Sequence, residues 1–95
     1  MYLILLKYLK PLEAVDAAIP AHIEYLDKYY TQGKFLLSGR RNPRNGGVIL
    51  CRAGDQKEVE AIIAEDPFHI GSIAEYEIIE FLPTKCASEL TSLIS

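Results

Sequence analysis

Tyr2-Leu3-Ile4-Leu5-Leu6 is a short, unbroken apolar run, closed off by Lys10-Pro11, and it predicts a strand over Met1–Tyr8. From Glu13 to Gln32 the period changes. Ile19, Ile23, Leu26 and Tyr30 recur at steps of three and four, which is one stripe of a helix. Pro20 falls inside that window and predicts a kink, or the first turn of the helix's main segment. Gly33 supplies the C-terminal stop. Phe35–Arg40 and Gly47–Ala53 read as two further strands, and the turn formers from Arg41 to Gly46 join them as a hairpin. Asp55, followed three residues later by Glu58, is an N-cap signature for a second helix with the apolar stripe Val59, Ile62 and Ile63. Asp66-Pro67 ends it, because the residue before a proline avoids the α region. Ala74–Phe81 predicts a fourth strand, terminated by Pro83. In the last stretch, 83–95, Cys86 or Ala87, Leu90, Leu93 and Ile94 recur at helical spacing and predict a short amphipathic tail helix.

The order is β-α-β-β-α-β plus a tail. It predicts an α+β, ferredoxin-like domain over residues 1–82, a four-stranded antiparallel sheet with both helices on one face. The strands carry a second implication. A sheet with one wet face alternates apolar and polar residues. Tyr2–Leu6 and Val48–Cys51 do not alternate, and Ile78-Ile79 breaks the pattern in the fourth strand. Both faces are therefore apolar, while the helices cover only one. The other would be an unusually large exposed patch for a monomer, and a second copy of the sheet is the simplest cover. A homodimer closed sheet to sheet is expected.

Composition sets the limits. With 49% hydrophobic and 24% charged residues the chain is an ordinary globular domain, too apolar for intrinsic disorder. Its 13 acidic residues outnumber 10 basic ones, so the basic surplus that tracks a phosphate backbone is missing and nucleic acid is not an expected partner. No apolar run approaches the ~20 residues that span a bilayer, so no membrane partner is expected. No secretory signal is read at the N-terminus. Cys51 and Cys86 lack CxxC spacing, and a reduced, cytoplasmic compartment is the simplest expectation.

Four features could carry chemistry. His22 falls between Ile19 and Leu26, on or beside the buried stripe. It is either a core histidine satisfied by a backbone carbonyl or a general base, since imidazole works near neutral pH. Asp66, at a helix C-terminus that disfavours carboxylates, either closes an Asx-turn before Pro67 or faces a cation. Ser38-Gly39 ends the second strand, where a glycine marks a bulge or a close approach and the hydroxyl could bind a ligand. No nucleophile-elbow context surrounds Ser38, so a serine hydrolase is excluded. Arg40, Arg41 and Arg44 crowd the hairpin, either as a solvated loop or as fork-shaped donors to carboxylates or phenolates. His69 could add a polar group there, or simply face solvent. No metal site is expected, because neither histidine has a ligand partner at zinc spacing. Gly46-Gly47 lacks the Lys-Ser/Thr ending of a phosphate-binding loop.

Taken together, Pro20-Ala21-His22-Ile23-Glu24-Tyr25-Leu26, Gly33-Lys34-Phe35-Leu36-Leu37-Ser38-Gly39 and Asp66-Pro67-Phe68, ahead of a last strand rich in Glu and Ile, resemble the YciI-like (YCII-related) family. That family belongs to the dimeric α/β-barrel superfamily. The likeness covers roughly residues 1–82 and leaves the tail outside. It implies a ferredoxin-like fold, a homodimer, and a site centred on His22 and Asp66 with Ser38 and Gly39 lining a pocket. Relatives include a dehydrochlorinase of chlorinated hydroxyquinol breakdown, and the wider superfamily includes muconolactone isomerases. Arg40-Arg41-Asn42 departs from the usual pattern, and its added charge favours an anionic ligand.

Two functions follow. The first is an enzyme without metal or organic cofactor. His22 would take a proton from a small cyclic or phenolic substrate held by Ser38, Gly39 and Arg40, while Asp66 orients the ring and stabilises the imidazolium. Isomerisation and dehydrochlorination both fit that equipment. The second is a non-catalytic small-ligand-binding or dimerisation module, in which His22 and Asp66 are only a buried pair.

Overall fold

The computed structural model describes residues 1–94. Strands β1 (Tyr2–Tyr8), β2 (Phe35–Arg40), β3 (Gly46–Cys51) and β4 (Ala74–Glu80) form one sheet of order β2-β3-β1-β4. Every neighbouring pair is antiparallel, with β1 in the centre. Helices α1 (Leu12–Thr31) and α2 (Gln56–Ala64) are the two crossovers, and a single turn, α3 (Pro67–Ile70), precedes β4. This is the ferredoxin-like α+β arrangement that the element order predicts.

Local chemistry sets the boundaries. Asp55 caps α2 by accepting from the Glu58 N–H at 2.9 Å, and Glu58 reaches back to the Gly54 N–H at 2.8 Å. Gly33, at φ +74°, ends α1. There the Lys34 N–H bonds the Tyr29 carbonyl and the Gly33 N–H bonds the Tyr30 carbonyl, the paired geometry of a Schellman cap. An L side chain at that φ costs about 1–2 kcal/mol. Gly33→Ala is therefore expected to lower the unfolding free energy by that amount, read as a lower urea midpoint with an unchanged m-value, and an unshifted midpoint would contradict the cap.

Four details differ from the sequence reading. First, α1 runs unbroken through Pro20, which is exposed on its solvent side. Second, the buried positions of α1 are Val15, Tyr25 and Tyr29, whereas Ile23 and Tyr30 are exposed. The core face is rotated from the expected stripe because the large tyrosine rings fill more of the space under the helix than Ile23 could. His22 stays at the edge of that face. Third, α2 stops at Ala64, and Asp66 begins α3 instead of ending α2. Fourth, the tail holds a 3₁₀ helix over Ser88–Leu93 in which no residue is buried. The expected short tail helix is therefore present as a 3₁₀ helix, but its apolar positions are not packed on the domain.

The core lies between the sheet and the helices, where Ile4, Leu6, Phe35, Ile49 and Cys51 meet Val15, Val59, Ile62 and Phe68. On the opposite face the register aligns Leu3 with Leu50 and Ile79, and Leu5 with Val48. No helix covers them. Leu37 is 68% exposed there and Ile79 40%, so the second face is apolar and open in the single chain. A shift of register between Phe35 and Leu37 leaves Leu36 as an extra residue. This bulge reverses the alternation, so Phe35 enters the core and Ser38, paired with Ile49, faces the helices as well.

Candidate active site

Asp66 is built into place by its neighbours. Pro67 sits at the first position of α3, which holds Asp66 extended (φ −68°, ψ 125°). Its carboxylate then turns inward, fully buried. Oδ1 accepts from the Phe68 N–H at 2.9 Å and from Nδ1 of His22 at 2.8 Å. Oδ2 accepts from the Tyr76 hydroxyl at 2.7 Å. Three donors meet the desolvation cost of a buried carboxylate. Asp66 thus makes an Asx-turn, which opens α3 and does not close α2, and the same carboxylate holds the His22 ring.

His22, one face-step from Tyr25 on α1, is not the core histidine bonded to a backbone carbonyl. Because its partner is a carboxylate, Nδ1 is assigned as the protonated nitrogen. Nε2 has no hydrogen bond among the described residues, and the side chain is 13% exposed. The ring stacks on Phe68, with centroids 4.0 Å apart and planes 4° from parallel. Phe68 follows Asp66 by two residues, so one short segment fixes both the edge and the face of the imidazole.

His22 forms part of the wall of a cleft of about 240 Å³ between α1 and the β2–β3 hairpin. Ser38, Gly39 and Arg40 line it as well, so these candidates meet in space. Asp66 does not line it. It stands behind the histidine and meets it at Nδ1. The bulge in β2 brings Ser38 in, and Tyr30 of α1 shares a hydrogen bond with its Oγ. Gly39 does not mark the bulge or a close approach, since a Cβ there would meet nothing within 4 Å. The close approach is at Gly46, where a Cβ would lie 1.8 Å from the Leu6 carbonyl oxygen.

The arginines separate. Arg40 lines the cleft and has no side-chain partner among the described residues. Arg44 also lines it but is tied to Asp16 on α1. Arg41 belongs to a different depression on the open sheet face, with Lys7, Glu75 and Glu77. His69 is exposed and leans on Tyr76, outside the cleft.

Tyr76 and Phe68 also touch the His22–Asp66 pair, and the sequence reading assigns neither a role there. Tyr76 alternates with Ala74 and Ile78 on the inward side of β4. That position was itself a signal, because a phenol hydroxyl turned inward requires an acceptor. Burial and the negative charge of Asp66 push the Tyr76 hydroxyl well above the usual tyrosine range, which keeps it a donor. Burial first, and then the negative charge of Glu58, push the Cys51 thiol up to about 11, so this buried cysteine is no nucleophile.

A ferredoxin-like sheet with a histidine-lined cleft under its first helix defines a class of small α+β proteins. Within that class, the family of the YCII-related domain matches residues 1–82, and the chain belongs to it. In fold it is similar to 5-chloro-2-hydroxyhydroquinone dehydrochlorinase from Burkholderia phenoliruptrix, solved in complex with 2,5-dihydroxybenzoquinone. The TM-score is 0.72 at 17% identity, over 85% of this chain and 93% of the other. No curated protein sequence matches the chain. Among the described residues, no helix is long and apolar enough to cross a membrane.

Proposed function

We propose that the protein is a cofactor-independent acid–base enzyme, a lyase of the dehydrochlorinase type or an isomerase, acting on a small cyclic or phenolic substrate. The observation that carries this reading is His22, with Nδ1 on buried Asp66 and the ring in the cleft wall. A base poised in this way takes a proton at Nε2 and becomes imidazolium, which the carboxylate stabilises. In an elimination, the electron pair of the broken bond to hydrogen forms the new π bond. The leaving halide departs with its own bonding pair, so HX is lost without any oxidant. In an isomerisation, His22 returns the proton to another carbon.

Ser38 and the backbone at Gly39 hold the substrate, and Arg40, which has no side-chain partner among the described residues, donates to its negative charge, which favours an anionic ligand. The fold likeness to a dehydrochlorinase bound to a dihydroxybenzoquinone supports a planar oxygenated ring as ligand. The working unit is a homodimer closed through the apolar sheet face of Leu3, Leu5, Leu37, Leu50 and Ile79. Residues 1–82 form its catalytic domain and 83–95 an appended tail. Two free cysteines suit a cytoplasmic setting.

The test is anaerobic incubation with a chlorinated hydroxyquinol and, separately, a muconolactone-type lactone, followed by chloride release and lactone isomerisation. One of the two reactions is expected to proceed. Saturable binding of both compounds with turnover of neither would overturn the catalytic reading in favour of a ligand-binding module.

A further inference from the structure

The His22–Asp66 contact has a third member whose role the proton-transfer scheme leaves open. Tyr76 donates to Oδ2 of Asp66, while Oδ1 carries His22 and the Phe68 N–H. The three donors come from separate elements, β4, α1 and α3, and converge on one buried carboxylate. A carboxylate's charge is shared among the donors it accepts from, so each donor weakens its hold on the others. Tyr76 is also the only donor to Oδ2 among the described residues, so it fixes that oxygen while the Phe68 N–H and His22 hold the other.

We infer that Tyr76 is a positioning residue that acts through Asp66, fixing Oδ2 and setting how strongly Oδ1 accepts from His22. The inference rests on the proton-transfer reading for its catalytic meaning, but its geometry can be tested without a substrate. The tyrosine suits the task because its hydroxyl stays protonated and so always donates. A neutral donor drains part of the carboxylate's charge without adding a second positive charge beside the imidazole. With Tyr76 in place, Asp66 holds the ring and stabilises its cation, but not so strongly that the ring would fail to release the proton in the return step.

The test reads the His22 Nδ1–H proton resonance in the whole protein. In Tyr76→Phe the ring of residue 76 remains and only the donor is lost. Asp66 then accepts more strongly from His22, and the Nδ1–H resonance is expected to move downfield. Replacing Tyr76 by 3-fluorotyrosine keeps the shape and strengthens the donor, so the same resonance is expected to move upfield. Opposite shifts from two nearly isosteric changes are not produced by altered packing. If Tyr76→Phe does not fold, the fluorinated protein still decides the matter. An unmoved resonance, or shifts of one sign in both, overturns the inference. Absence of any Nδ1–H resonance in the unmodified protein instead overturns the underlying reading of His22.

Discussion

Replacing Asp66 by alanine is expected to destabilise the domain by about 3–5 kcal/mol, the scale seen when one partner of a buried charged contact is removed. Three effects combine. The N-cap of α3 is lost, worth about 1 kcal/mol by itself. The Tyr76 hydroxyl and the Phe68 N–H lose their acceptor in a place closed to solvent. Nδ1 of His22 loses its only partner among the described residues. For a chain of this size each kcal/mol moves Tm by roughly 4–8 °C, so a fall of more than 10 °C is expected in a thermal melt. A melt within a few degrees of the parent would mean that the carboxylate is not the junction described. Asp66→Asn keeps one acceptor oxygen and is expected to fall between the two.

His22→Gln is expected to behave differently. Glutamine fills much of the imidazole's volume, and its amide can still donate to Asp66, so stability should change by no more than about 1 kcal/mol, the net worth of one hydrogen bond. Turnover should fall about 10²–10⁴-fold, the usual contribution of a positioned acid–base group. A folded His22→Gln protein with undiminished turnover would end the assignment of His22 as base. The pair of variants also separates two roles that one melt would confuse. Because Asp66 caps α3 and anchors Tyr76, its loss is costly whether or not the site is catalytic. Only the histidine discriminates.

How far the sequence revealed this depended on the range of the interactions. The strands, the hairpin and the Asp55 cap rest on local chemistry, and they stand within a residue or two of the positions read from the chain. His22 was placed at the margin of the core because helical spacing puts residue 22 between 19 and 26, and the structure keeps it there. Spacing alone gives the face of α1 only in part: Ile19 and Leu26 pack on the core as expected, but apolar side chains surround much of the helix, and only the sheet beneath it decides that Tyr25 and Tyr29 go in and Ile23 stays out. Ser38 reaches the cleft through a bulge at Leu36, and strict period-two reading cannot express that. For Tyr76 the alternation of β4 shows only that an inward hydroxyl needs an acceptor; the acceptor lies on a separate element, and nothing in Ala74–Glu80 names Asp66 as that group. The single turn Pro67–Ile70 is hidden by the rule for the residue before a proline, which reads Asp66-Pro67 only as an end. A proline that stops one helix is also well suited to start the next.

The most direct test of the account is the protonation pattern of the His22 ring, read from long-range ¹H–¹⁵N correlations at a pH where the ring is neutral, with His69→Gln used for assignment. A ring that carries its proton on Nδ1 and leaves Nε2 bare is the predicted result, since only that form both donates to Asp66 and offers a base to the cleft. A neutral ring protonated at Nε2 would contradict it, because such a histidine could neither donate to the carboxylate nor accept a proton from a bound substrate.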